Sequence, residues 1–66
     1  MDKKSQLKVI KAGFKIIRKD DTPSPRIKMI GKGTYDWVTY EKDFPSKAAR
    51  DRRFEELLVS NIFISD

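Results

Sequence analysis

The stretch FKIIRKDDTPSPRIKMI, residues 14–30, decides the fold, because it holds two short apolar strands joined by a connection. Residues 14–19 are rich in β-branched and aromatic side chains, which is typical of a β-strand. Pro23 and Pro25 cannot donate ladder hydrogen bonds, so they mark the connection. Residues 26–30 then form the second strand of a predicted antiparallel hairpin.

The C-terminal half continues with a turn, a strand and a helix. We interpret GKGT, residues 31–34, as a plain turn, because it lacks the G-x-x-x-x-G-K-[ST] spacing of a phosphate-binding loop. A third strand is predicted over 35–42. Ser46 is a good N-cap for a helix predicted over 47–59. Ile62 and Ile64 alternate with Phe63, and this pattern is compatible with a short fourth strand over residues 62–64.

The N-terminal segment, residues 3–12, fits two structures. Apolar residues spaced i, i+3, i+7 and i+10 from Leu7 favour a short helix, with Asp2 or Ser5 as its N-cap and Gly13 at its end. A strand also fits the segment. We expect the helix, and with it a single small α+β domain over residues 1–66: a three-stranded antiparallel sheet packed on the C-terminal helix.

Composition argues against an enzyme. The chain has no cysteine and no histidine. It therefore lacks thiolate chemistry, the commonest general base and the commonest metal ligand. We expect no catalytic residues, no cofactor and no metal site. No apolar run approaches the ~20 residues needed to span a bilayer, and no secretory signal is visible, so we expect a cytoplasmic protein without a membrane partner.

Charge is distributed unevenly along the chain. Residues 1–32 carry ten lysine or arginine residues against three aspartates, a balance of +7, whereas residues 33–66 carry five cations against seven acids, a balance of −2. Such asymmetry favours an anionic partner such as nucleic acid or a membrane surface. Small domains also carry charge simply to remain soluble, and that interpretation fits equally well.

Alternation along the strands divides the sheet into two faces. The most apolar combination, predicted as the core, is Phe14, Ile16, Ile27, Met29, Val38 and Tyr40. The outer face then carries the predicted nucleic-acid-binding residues, which are Lys15, Lys19, Arg26, Lys28, Tyr35 and Trp37. Cations neutralise phosphates, and aromatic rings stack on exposed bases.

Other interpretations of this sheet remain open. The N-terminal segment could cover the outer face and bury Trp37, Ile17 and Ile30 as a second small core, and a one-residue slip would exchange the faces of a strand. A protein-interaction or regulatory subunit, such as a homodimer, is the alternative function. A three-stranded sheet backed by a helix resembles the small arm-binding domains of some phage-type integrases. The resemblance is one of architecture, without a matching motif, and it favours nucleic-acid binding.

The arginine-rich start of the C-terminal helix raises a separate question. Arg52 and Arg53 are predicted to be solvated and matched by glutamates three and four residues on. Arg50 faces the apolar side, in the first turn, where the helix dipole disfavours a cation. Either it forms a salt bridge to Asp43 or Glu41, which we favour, or it forms an anion site with Ser46 and Lys47.

Overall fold

Two helices and one mixed sheet make up the protein in a computed structural model, which describes residues 1–34 and 36–66. The elements are α1 (Lys3–Lys11), β1 (Lys15–Asp20), β2 (Arg26–Ile30), β3 (Val38–Glu41), α2 (Lys47–Val59) and β4 (Phe63–Ser65). The sheet has the order β3-β2-β1-β4, with β4 parallel to β1 and the other pairs antiparallel. The predicted α+β fold, including its N-terminal helix and C-terminal strand, is confirmed.

Both helices begin and end where their capping residues place them. Asp2 caps α1 by accepting a hydrogen bond from the Ser5 backbone at 2.7 Å. At the other end Gly13 takes a φ of 100°, and the two hydrogen bonds that follow the helix match a Schellman motif. Ser46 caps α2 by accepting from the Ala49 backbone at 3.1 Å. These local signals account for the accuracy of the predicted helix boundaries.

One face of the sheet packs on α2 and forms the main core. Ile17 and Ile27 are fully buried there against Phe54 and Leu57. Packed around them are the partly buried Met29, Phe44, Leu58 and Phe63. We call this side of the sheet the α2 face.

The opposite side, which we call the α1 face, has a smaller apolar row. Ile16 lies between Ile30 of β2 and Ile64 of β4 in register, and it is fully buried although it points away from α2. Helix α1 contacts β1 and lines a groove with Ile30, so it partly covers this row. The alternative in which the N-terminal segment covers the outer face therefore holds in part for Ile30 and fails for Ile17, which packs against α2.

The predicted face assignment of β1 was wrong. Ile17 pairs with Met29, so it shares the α2 face with Ile27, and Ile16 belongs to the opposite face. The reason is that the sheet is covered on both sides, so both isoleucines are buried and alternation cannot choose between them.

The third strand also differs from its prediction. It spans Val38–Glu41 rather than 35–42, and Tyr35 lies outside the described residues. Val38 and Tyr40, predicted as core, are 42% and 40% exposed because β3 is an edge strand. Tyr40 still makes an edge-to-face contact with Phe63, at 5.5 Å between ring centroids.

Candidate nucleic-acid interface

Beyond the apolar row, the α1 face carries a polar row that holds two cations. Arg18 of β1 and Lys28 of β2 are direct cross-strand partners, and Thr39 of β3 continues the row. Like charges placed directly opposite each other destabilise a sheet. We call Arg18, Lys28 and Thr39 the basic row. Its unfavourable internal charge pair makes it the first candidate for an anion-binding surface.

An aromatic ring adjoins the basic row. The Arg18 guanidinium carbon lies 4.0 Å from the centroid of the Trp37 ring, within the range of a cation–π contact. Arg18 remains 45% exposed, and Trp37 is half-buried, so the pair is accessible from solvent. Arg18 also lies 3.9 Å from the Asp66 carboxylate, which is a weak ion pair. Arg18 was not among the predicted binding residues, because the wrong face assignment of β1 put it on the core side of the sheet.

Two more predicted residues lie on this face. Lys28 is 3.7 Å from the Asp20 carboxylate, so its charge is partly matched. Arg26 is directly opposite Asp20 in register and donates hydrogen bonds to the carbonyl and hydroxyl oxygens of Ser24 at 3.1 and 3.2 Å. The α1 face therefore brings together Arg26, Lys28 and Trp37 as predicted, and adds Arg18.

The two predicted lysines of β1 lie on the other side of the sheet. Lys19 is 3.7 Å from Asp51 of α2, and its ammonium group sits 5.2 Å from the centroid of the Phe54 ring. Lys15 shares this side by alternation, and its aliphatic stem passes close over Gly31. Neither adjoins the basic row, so their predicted place in a single binding surface was wrong. The prediction for Tyr35 concerns a residue outside those described.

Helix α1 supplies further cations beside this face. All four of its lysines are exposed, and in the described part of the chain none has a carboxylate within 4.0 Å: Lys3, Lys4, Lys8 and Lys11. By contrast, Arg53 on α2 forms a close ion pair with Glu41 at 2.9 Å, together with a longer one to Glu56 at 3.6 Å. Positive charge is thus least neutralised around α1.

The predicted anion site at the start of α2 is occupied by the protein's own carboxylates. Arg50 is only 4% exposed and donates to the Asp51 carboxylate at 2.7 Å and to Asp21 at 2.9 Å. It also donates to the Asp20 carbonyl oxygen at 2.9 Å. Lys47 lies 3.5 Å from Asp21 on the same side.

Arg50 therefore forms salt bridges, as favoured, but the predicted partners were wrong. Asp21 comes from the β1–β2 connection and Asp51 from α2, whereas Glu41 pairs with Arg53. Lys47 and Arg50 tie the connection to α2, and Ser46 caps the helix. Both cations of the predicted anion site are therefore already paired with carboxylates of the protein.

The same contacts shift the pKa values of Arg50, Asp21 and Asp51. Hydrogen bonding from Arg50 is the main cause that lowers the pKa of Asp21 and of Asp51 below the usual aspartate value. Burial acts to lower the pKa of Arg50, but its hydrogen bonds to Asp51 and Asp21 outweigh burial and raise it. At neutral pH all three groups are charged.

A groove opens where α1 meets the end of β2. It has a volume of about 410 Å³ and is lined by Lys3, Gln6, Leu7, Ile10, Ile30 and residues 31–34. Its outer wall is the predicted plain turn, closed by Thr34, whose hydroxyl accepts from the Gly31 backbone at 2.9 Å and donates to the Gly31 carbonyl at 2.7 Å. Gly33 takes a φ of 90° there, as the turn requires.

Comparison with known proteins identifies no relative: no family model, curated protein or solved structure matches the chain. The resemblance to integrase arm-binding domains therefore rests on the predicted elements alone. Within the described residues, neither helix combines the length and apolar character needed to cross a bilayer.

Proposed function

We propose that this protein is a small nucleic-acid-binding module. Its contact surface is the open part of the α1 face together with the exposed side of α1. The observation that carries the proposal is the Arg18–Trp37 stack, held on an accessible sheet face directly opposite Lys28. Bases stack on arginine guanidinium planes as they do on aromatic rings, and the neighbouring cations suit phosphates. We place this role in the cytoplasm.

The charge map supports the choice of this surface over α2. The cations of α2 are largely neutralised by ion pairs within the protein, as the contacts of Arg50 and Arg53 show. Those of α1 are exposed and unmatched within the described chain. Binding a phosphate with an unmatched lysine releases a counterion from the nucleic acid without first breaking an ion pair in the protein.

Fluorescence anisotropy with labelled oligonucleotides tests the proposal. We expect binding that weakens steeply with salt. The variant Lys4→Gln with Lys8→Gln should reduce the slope of log K against log salt by about 1–2, because each phosphate contact contributes roughly 0.7–0.9. Arg18→Ala should weaken binding further by removing the stack.

A matched control makes the test specific. Lys42→Gln with Arg52→Gln removes the same net charge from two exposed positions, one after β3 and one on α2. We expect this variant to bind nearly as the parent does. An equal loss of affinity in both double variants would show that binding depends only on net charge. If the parent did not bind any oligonucleotide at low salt, the proposal would be refuted.

Self-association is a second candidate, favoured by a different observation. Val59, the last residue of α2, is 84% exposed, and Ile62, which directly precedes the edge strand β4, is 50% exposed. Exposed apolar side chains beside an open strand edge are suited to pairing with another chain. Sedimentation velocity of the parent and of Val59→Glu should show a dimer only in the parent; a monomer throughout would exclude this candidate.

A further inference from the structure

The groove between α1 and the 31–34 turn is a second feature of the α1 face, separate from the basic row. Its volume of about 410 Å³ lies within the range of small-ligand sites. Leu7, on its α1 wall, is 56% exposed, although it is a large aliphatic residue. Every residue of α1 is exposed or half-buried, so the apolar side of this helix is only partly covered.

The charge around the groove restricts what it could hold. Lys3 enters the lining from α1 and Lys32 from the turn, and no acidic residue is among the described residues that line it. An apolar floor between two lysines is complementary to a flat apolar group that carries negative charge on both sides. A base within a nucleic-acid strand has this form, because each nucleotide is flanked by phosphates.

The groove is also continuous with the proposed interface. Ile30 on its β2 wall lies two residues from Lys28 and projects to the same face. Two strand residues correspond to about 7 Å. A strand that contacts the basic row therefore reaches the groove without leaving the α1 face.

We propose that the groove takes one unstacked base of a single-stranded nucleic acid, with Lys3 and Lys32 on the flanking phosphates. Leu7, Ile10 and Ile30 pack against the base, as apolar side chains do in sites that accept an extruded base. The protein then prefers single strands, because a duplex base is held by pairing and stacking. This inference rests on the proposed function and adds to it the class of ligand.

Abasic oligonucleotides separate base contacts from phosphate contacts. The probes are a labelled 12-nucleotide DNA strand, the same strand with tetrahydrofuran abasic residues throughout, and its duplex. We expect the parent to bind the intact strand at least about fivefold more tightly than either other probe, the lower end of what a stacked base contributes. Equal affinity for all three would overturn the inference and would also show that no base stacks on Arg18 and Trp37, whereas salt-dependent binding through phosphates would still support the proposed nucleic-acid-binding module.

Variants then locate the base. Leu7→Asn places an amide on the groove wall at an exposed position, and Ala48→Asn places one at an exposed position of α2. We expect the preference for the intact over the abasic strand to shrink at least twofold in Leu7→Asn and to persist in Ala48→Asn. If Leu7→Asn does not melt cooperatively, Leu7→Ala replaces it in the same comparison. An unchanged preference in the Leu7 variants would place the base elsewhere and overturn the inference, whereas failure of the parent to bind any strand would refute the proposed function itself.

Discussion

Replacing Arg50 by methionine is the sharpest test of how the fold is held together. Methionine keeps an unbranched stem of similar bulk in a site that is only 4% exposed, but it removes the guanidinium. The variant therefore loses the hydrogen bonds to Asp51, Asp21 and the Asp20 carbonyl, which measure 2.7, 2.9 and 2.9 Å. The β1–β2 connection would then no longer be tied to α2.

The expected loss follows from those contacts. A hydrogen bond to a charged group contributes about 1.5–3 kcal/mol. Asp21 and Asp51 are half exposed and regain water when the arginine leaves, so the three bonds do not add in full. We expect the free energy of unfolding to fall by about 2–3 kcal/mol, against a total of roughly 3–10 kcal/mol for a chain of this size.

Thermal and urea denaturation followed by circular dichroism measure this loss. For so small a domain the expected change corresponds to a decrease in Tm of about 10–20 °C. Arg52→Met, two residues along the same helix, is exposed and should change stability by less than about 0.5 kcal/mol. If Arg50→Met matched Arg52→Met, the buried arginine would not be a structural link and our reasoning would be refuted.

Two further predictions concern the same helix. Stability should be constant above about pH 5 and decline below about pH 4. The reason is that the pKa values of Asp21 and Asp51 are lower in the folded protein than the usual 3.8, so the unfolded chain binds their protons more tightly. A pH titration of the urea midpoint measures this decline, and a decline of the same size in Arg50→Met would contradict the prediction. Ser46→Ala should cost about 1 kcal/mol by removing the α2 N-cap, seen as a lower urea midpoint, whereas Ser65→Ala should cost less than about 0.5 kcal/mol.

The boundaries of both helices and of β1 and β2, unlike those of β3, could be predicted closely from the sequence because they depend on local chemistry. Gly13, Pro23 and Ser46 act through backbone conformation and hydrogen bonds to near neighbours, so their effects are readable without the rest of the chain. The short strand β4 was predictable only as a possibility, since three alternating residues hold little information. Its parallel pairing with β1 required the tertiary structure.

The candidate site was less predictable because it depends on which face each strand presents. Alternation assigns faces only when one side is polar, and the adjacent Ile16 and Ile17 are both fully buried. That adjacency was itself a signal of a sheet covered on both sides. Arg50 was identified from its unfavourable place in the first turn, but Asp21 is 29 residues distant in sequence, and only the packing of the connection against α2 brings them together.

The most direct test of the central claim is chemical-shift mapping of the ¹⁵N-labelled protein during titration with a 12-nucleotide DNA strand at low salt. We expect the largest shifts at Arg18, Lys28, the Trp37 indole N–H and along α1, with small shifts along α2. Shifts centred on α2 around Arg52, or no shifts at a saturating strand concentration, would contradict it.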